Sequence, residues 1–271
     1  MKNKIFDCVT FFQENLQLEL RFNILNHVVD KFIICESIYD HRGREKKINF
    51  SKNSFPKIKD KIEHIIITEK FPKKNTPWQN QSWQREFIFE GIKDAKDEDY
   101  IMFSDPDEIP NPEKIKDLKL KKKYGIFLQN MYTYKLNLFN KYESPWEGTR
   151  ICKKRDLKSV DWLRSKILLK NLKYGFWRID KEKNIEIINE GGWHFNYLLK
   201  PKEISKKFKS LAEISWDKEE YFNEENIVKK INLKKDLFNR GHTFERVKID
   251  QSYPKYLNDN KEKYEEWMLD E

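Results

Sequence analysis

Glycine and proline are scarce in this chain, at eight and nine residues of 271, and no stretch is rich in both. That excludes a linker-rich or low-complexity protein; with no internal repeat and no clear linker, it predicts one compact unit. Cysteine is scarcer still. Cys8, Cys35 and Cys152 form no C-x-x-C pair and are too few for a disulfide framework. Cys8 and Cys35 sit inside apolar runs, so they read as buried thiols in a reducing compartment. No apolar run approaches the roughly 18 residues of a membrane span. Asp7 interrupts the apolar stretch that an N-terminal signal would need. The expectation is a cytoplasmic protein with no transmembrane segment.

What is abundant is aromatic and charged. Hydrophobic residues make up 38% and charged residues 37%, a balance that alone would suggest disorder. The 14% of aromatics argues against it, because large rings supply the burial a disordered chain lacks. The net charge of +9 invites a polyanion, either nucleic acid or an anionic membrane. Lysines alternate with acids, however, as in Lys114-Ile115-Lys116-Asp117 and Lys181-Glu182-Lys183, which favours a diffuse basic surface. No nucleic-acid partner is expected; peripheral contact with an anionic membrane surface stays open.

Residues 5–12 read as a strand and 14–29 as a helix, with Leu16, Leu20, Ile24, Leu25 and Val28 at helical spacing. Residues 31–36 predict a second strand, 41–44 a turn and 64–68 a third strand. A helix over 81–93 would carry Trp83, Phe87 and Ile88 on one face. This alternation predicts an α/β fold: a mixed, mostly parallel sheet flanked by helices. After residue 124 strands dominate, over 124–138, 146–157 and 185–188. Amphipathic helices over 201–221 and 224–237 make the C-terminal region helical.

The stretch Tyr100-Ile101-Met102-Phe103-Ser104-Asp105-Pro106-Asp107-Glu108-Ile109-Pro110 organises the rest. Its first four residues predict a buried strand, and three carboxylates follow within four positions. Pro106 pushes Asp105 into extended geometry and fixes its own φ, so the turn is shaped. Residues i and i+2 of extended backbone face the same way, so Asp105 and Asp107 address one point. Converging carboxylates there require a cation, and the carboxyl end of a strand in an open α/β sheet is where ligands bind. Oxygen ligands suit Mg2+ or Mn2+, which share their coordination with substrate phosphates. The alternative is a plain strand–turn–helix connection: Asn111-Pro112-Glu113 starts a helix well, and the lysine block 119–123 would end it.

Glu190-Gly191-Gly192-Trp193-His194-Phe195 is the second constellation. A glycine pair in a glycine-poor chain permits close backbone approach or positive φ. His194 reads either as a nitrogen ligand completing a metal site or as a hydrogen-bonded structural residue. Trp193 offers a flat face to a sugar ring or a base.

Together these motifs resemble the beta-1,4-mannosyl-glycoprotein 4-beta-N-acetylglucosaminyltransferases, glycosyltransferase family 17. The likeness runs from residue 6 to about residue 257. Beyond the acidic turn it includes Leu18-Glu19-Leu20-Arg21-Phe22, Val28-Val29-Asp30-Lys31-Phe32-Ile33-Ile34-Cys35-Glu36-Ser37, Gly192-Trp193-His194, Lys207-Phe208-Lys209-Ser210 and Pro254-Lys255-Tyr256-Leu257. The resemblance implies a GT-A-like single domain. Its nucleotide-sugar-binding half would span about 1–123, and an acceptor-side, helical part about 124–271. It also implies a UDP-sugar donor (UDP-N-acetylglucosamine in characterised members), a divalent metal, a glycan acceptor and inversion at the anomeric carbon. By position, Asp105 and Asp107 would hold the metal on the diphosphate, Glu36 would lie near the nucleoside, and His194 near the diphosphate or metal. Animal members carry an N-terminal membrane anchor; its absence from this sequence points to a microbial surface-glycan or lipid-linked acceptor.

The chemistry agrees. Sugar transfer needs the departing diphosphate neutralised, by a carboxylate-held metal and by basic groups such as Arg21 or Arg150. The acceptor hydroxyl needs a base, with Glu190 the first candidate and Glu108 the second. A metal-dependent nuclease or phosphohydrolase would use the same aspartates, but it needs more strand-end carboxylates than Glu36. A carbohydrate-binding module would use the tryptophans and has no need of the acidic turn.

Overall fold

In this computed structural model residues 3–210, 212, 213 and 218–269 are described. Strands β1 (Ile5–Phe11), β2 (Lys31–Ser37), β3 (Ile62–Ile67) and β4 (Tyr100–Ser104) pair in parallel in the order β3-β2-β1-β4. β1, β2 and β4 are almost continuously buried, as parallel strands covered on both faces must be. Alternation sends successive side chains to opposite faces. Val9, Ile34 and Met102 pack with Leu18 and Phe22 of α1 (Asn15–Leu25) on one face. Cys8, Ile33 and Phe103 pack on the other with Ile88. Helix α2 (Pro77–Glu86) starts four residues before the sequence predicts, on a capping box of Thr76 and Gln79, and passes at Phe87 into α3 (Ile88–Gly91).

Past β4 the pairing changes. After the short β5 (Glu108–Pro110), Asn111 caps α4 (Pro112–Ile115) as expected, its side chain accepting from the Glu113 amide at 3.0 Å. The lysine block 119–123 does not end this helix. Leu118 and Leu120 pack against the core instead, and the chain enters β6 (Tyr124–Thr133) from a loop. Next come β7 (Leu138–Phe139), β8 (Trp146–Lys153), α5 (Val160–Lys166) and β9 (Ile185–Asn196). β8 pairs antiparallel with β4 and β6, while β9 runs parallel to β6. β9 is three times the predicted length because it continues through the glycine pair. Gly192 has φ +130°, and a Cβ there would stand 2.2 Å from the Ile109 carbonyl oxygen. That close approach lets β9 pair with β5, setting His194 opposite Glu108.

The C-terminal region holds α6 (Pro201–Ser210), α7 (Glu219–Phe222), α8 (Glu224–Asn232), β10 (Glu245–Arg246) and α9 (Lys255–Asp259). Of the helix expected over 201–221, residues 211 and 214–217 lie outside the described residues. Ile204 and Phe208 of α6 and Ile227 and Ile231 of α8 close a third apolar cluster around Tyr134 and Tyr197. The result is the expected α/β architecture: one mixed sheet whose longest ladders are parallel, helices on its faces, and a helical C-terminal region. Among the described residues no helix is long and apolar enough to cross a membrane. All three cysteines are buried and free.

Candidate active site

β4 delivers the acidic turn, and buried charges hold it from beneath. The Asp105 amide donates to Glu108 Oε2 at 3.1 Å, and the Glu108 amide returns a bond to the Asp105 carbonyl at 3.0 Å. Glu108 Oε1 accepts from Trp146 Nε1 at 2.7 Å and from Arg164 of α5 at 2.8 Å. Arg164 also grips Asp105 at 2.6 Å. Deeper still, Arg21 donates to both oxygens of Asp7 at 2.5 and 2.6 Å, to Ser104 Oγ at 2.9 Å and to the Glu108 carbonyl at 2.5 Å. One guanidinium thus ties α1, β1, the end of β4 and the start of β5.

Above the turn lies a cavity of about 310 Å³. It sits at the C-terminal ends of β1, β2 and β4, the edge where ligands bind in such sheets. Thr10, Tyr39 and His41 line it from the β1–β2 side, and Glu143, Trp146 and Arg240 from beyond β4. Asp105, Asp107, His194 and Lys207 also face it. Asp107 stands 3.4 Å from His194 Nε2 and 3.5 Å from Lys207 Nζ, and Lys207 in turn pairs with Glu14 at 2.9 Å. Burial opposes ionisation of Asp107, but Lys207 and His194 outweigh it and hold the carboxyl far below its usual range. Burial likewise raises Asp105, and Arg164 and Arg85 overcome it, so its pKa is also lowered. Desolvation would depress His194, yet Asp107 raises it. Lys207 is raised too, by Glu14 and Asp107 against burial. Two ionised aspartates flanked by protein cations therefore face the cavity.

The expected metal ligands Asp105, Asp107 and His194 do not assemble into a closed site. Among the described residues no three or more His, Cys, Asp or Glu side chains are arranged to hold an ion alone. Asp105 leans on Arg164, and His194 turns Nε2 to Asp107. What fits is an ion supported by one or two carboxylates and completed by a ligand's phosphates, the usual habit of Mg2+. The long contacts of Asp107 and the buried, unpartnered Nδ1 of His194 leave room for such a ligand.

Several expected residues lie elsewhere. Arg21 is no phosphate ligand: it is fully buried and its donors are spent on Asp7, Ser104 and Glu108. Arg150 is buried as well, donating to the carbonyls of Ile167, Glu147 and Gly148. Trp193 cannot stack on a ligand, because strand alternation turns it into the core when His194 faces the cavity; its Nε1 donates to the Ser252 carbonyl at 3.0 Å. Glu190 is not a cavity base. It has φ +51°, its side chain is 83% exposed, and it pairs with Lys114 at 3.0 Å. Glu108 is fully buried beneath the turn and does not line the cavity, which removes it as a base too. Glu36 is buried behind the cavity wall. It accepts from Lys46 at 2.6 Å and from the amides of Asn49 and Phe50 at 2.8 and 3.1 Å, so it places Lys46, which does face the cavity. Sequence reasoning missed Arg164 and Glu143, and it quoted Lys207 only within the motif Lys207-Phe208-Lys209-Ser210, with no role in the site. Only Lys207 left a signal, lying beside Phe208 on the apolar stripe that Ile204 begins.

The family profile of glycosyltransferase family 17 matches residues 1–267. The chain belongs to glycosyltransferase family 17. It is similar to the beta-1,4-mannosyl-glycoprotein 4-beta-N-acetylglucosaminyltransferase of Rattus norvegicus, 24% identical over 127 residues, 43% of this chain and 23% of the rat protein. The Homo sapiens protein of the same name is 26% identical over 113 residues, 38% of this chain and 21% of its own length. The aligned stretch is thus under a quarter of these relatives. A solved structure of glucosyl-3-phosphoglycerate synthase from Mycobacterium tuberculosis, with Mn2+, UDP and phosphoglyceric acid, is 10% identical at TM-score 0.39, covering 94% of this chain and 91% of that one. A glycosyltransferase involved in the glycosylation of the major capsid of PBCV-1 is also 10% identical, at TM-score 0.31, covering 69% of this chain and 82% of that one. Membership in family 17 makes the cavity above Asp105 and Asp107 the candidate active site of a glycosyltransferase.

Proposed function

We propose that this family 17 member moves a sugar, N-acetylglucosamine first among candidates, from a UDP-sugar to a hydroxyl of a glycan acceptor, with inversion at the anomeric carbon. The observation that carries this is the pair of ionised aspartates at the end of β4, facing a ligand-sized cavity. The names of the rat and human relatives support the choice of sugar. Asp105 and Asp107 would hold Mn2+ or Mg2+, which supplies Lewis-acid stabilisation of the departing diphosphate. Lys207, kept in place by Glu14, adds a fixed positive charge for the same developing anion. The nucleoside lies on the side of Thr10, Tyr39 and His41, within residues 1–123, and the acceptor enters beyond β4, within 124–271. There the acceptor oxygen attacks the anomeric carbon, the bond to the diphosphate breaks, and UDP leaves with the electron pair. The hydroxyl proton passes to Glu143, a cavity carboxylate positioned by Asn140 at 2.8 Å and Arg240 at 2.9 Å. Three buried free thiols suit a cytoplasmic setting.

The test is release of UDP from a panel of UDP-sugars with Mn2+, with Mg2+ and with chelator. Fastest release from UDP-N-acetylglucosamine, lost on chelation, is expected. Equal rates with and without chelator would remove the metal from the mechanism, and release from none of the sugars would overturn the reading. Cleavage of polynucleotide instead would favour the nuclease alternative.

A further inference from the structure

Between α5 and β9 the chain makes a loop that the cavity chemistry does not use. Phe176, Trp177 and Ile179 are 87%, 70% and 94% exposed, the three highest values among the exposed large hydrophobics. Single exposed apolar residues are ordinary, but three within four positions mark an interaction site. The loop is built to show them. Lys183 Nζ bridges the carbonyls of Gly175 and Arg178 at 2.7 and 3.1 Å, and Arg178 pairs with Asp180 at 2.7 Å. The Trp177 indole folds over Gly175, where a Cβ would come within 2.4 Å of the ring. Phe176 meets Trp177 edge-on, with centroids 5.4 Å apart.

Positive charge surrounds this tip. The lysine-rich loop 119–123 is tied alongside, its Lys121 amide donating to Glu186 at 2.6 Å and its Lys123 amide to Asn184 at 3.2 Å. Residues 117–123 and 169–186 together hold nine Lys and Arg against four Asp and Glu. We infer that this surface docks the protein on an anionic bilayer, with Phe176, Trp177 and Ile179 entering the headgroup layer and the flanking lysines meeting lipid negative charge. Tryptophan favours that interface, and polybasic segments are drawn to anionic leaflets. A few apolar side chains or a few charges alone bind weakly, so the pairing of both is the informative feature. A second copy of the chain is a poorer occupant. Three side chains fall far short of the roughly 1,200–2,000 Å² of a stable interface, and facing patches would repel. Single-stranded nucleic acid is poorer too: Ile179 has no ring to stack, and the Phe176 and Trp177 planes meet at 77° rather than forming a platform.

The experiment is flotation of the full chain with phosphatidylcholine vesicles, with and without phosphatidylserine, at low and high salt. Binding to the phosphatidylserine vesicles that salt weakens is expected. The variant Phe176→Ser/Trp177→Ser/Ile179→Ser and the variant Lys170→Glu/Lys173→Glu/Lys181→Glu should each weaken it by at least about tenfold. Both should keep the parent Tm and the parent rate of UDP release, since none of these side chains lines the cavity. Docking is thus read separately from catalysis. No vesicle binding by the parent at low salt overturns the inference, and so does binding that either variant leaves unchanged. Self-association or oligonucleotide retention that the serine variant abolishes, without vesicle binding, overturns it in favour of those partners.

Discussion

Below and above the acidic turn, carboxylates and cations meet in two different ways. Below, Arg21 holds Asp7 at 2.5 and 2.6 Å, and Arg164 holds Glu108 at 2.8 Å, with the other Glu108 oxygen closing the turn's own backbone. Above, Asp107 stands 3.4 and 3.5 Å from its cations, and His194 Nδ1 is buried with no partner. Buried polar groups are almost always satisfied, so a tight set reads as architecture and a loose one as capacity held for a ligand. Substitutions should therefore separate cleanly. Those below the turn cost stability; those above it cost activity.

The largest effect is expected above. Asp107→Ala should bring UDP release to background while changing unfolding free energy by no more than about 1–2 kcal/mol, because Lys207 keeps Glu14 as a partner at 2.9 Å. Urea unfolding beside the release assay checks both halves. A variant that unfolds outright would erase the distinction between the two layers.

Glu143→Gln sharpens the upper layer further. If Glu143 takes the acceptor proton, transfer at saturating donor should fall about 10²–10⁴-fold with donor affinity kept, the usual share of a general base. Glu190→Gln is the matched control and should transfer at the parent rate, since its side chain pairs with Lys114 outside the cavity. The reverse ranking would restore Glu190 and discard Glu143.

Below the turn, Arg21→Met leaves the Asp7 carboxylate buried and unpaired, at a cost of about 3–5 kcal/mol. Asp7→Asn in the same chain should return part of that, because removing both charges abolishes the stranded one. Parent-like unfolding of Arg21→Met would show that this pair does not anchor the turn.

These contrasts also explain what the sequence disclosed. Strands β1, β2 and β4 were legible because burial on both faces leaves an apolar run that needs no partner to be recognised. The turn was legible because Pro106 and the strand before it define its shape locally. Arg21 was misread as a phosphate ligand because its partner lies on another element. The signal existed, since Asp7 inside an apolar strand demands a buried cation and Arg21 lies on the helix face of Leu18 and Leu25. Trp193 and His194 could not be told apart without knowing that β9 runs through the glycine pair, which assigns the two rings to opposite faces. Arg164 and Glu143 reach the site only through tertiary packing.

The smallest effect tests whether the tight kind of network extends to the donor side of the cavity. Glu36 is buried and binds Lys46 at 2.6 Å and the Asn49 amide at 2.8 Å. Glu36→Gln at neutral pH should cost about 1–3 kcal/mol, because Lys46 loses its charged partner. Burial alone would raise the Glu36 pKa, but His64, Lys46 and the Asn49 amide outweigh it and lower it beneath the ordinary 4.5. A carboxyl whose folded-state pKa is depressed stabilises above its unfolded value, and that contribution fades as pH falls through the folded one. The stability gap between parent and Glu36→Gln should hold steady from neutral pH down to about 4.5 and shrink below it, by at most about 1.4 kcal/mol per pH unit for one proton. Urea midpoints of both proteins across the acid range measure this directly. A gap that stays constant or widens in acid would mean that Lys46 is held by something other than an ionised Glu36.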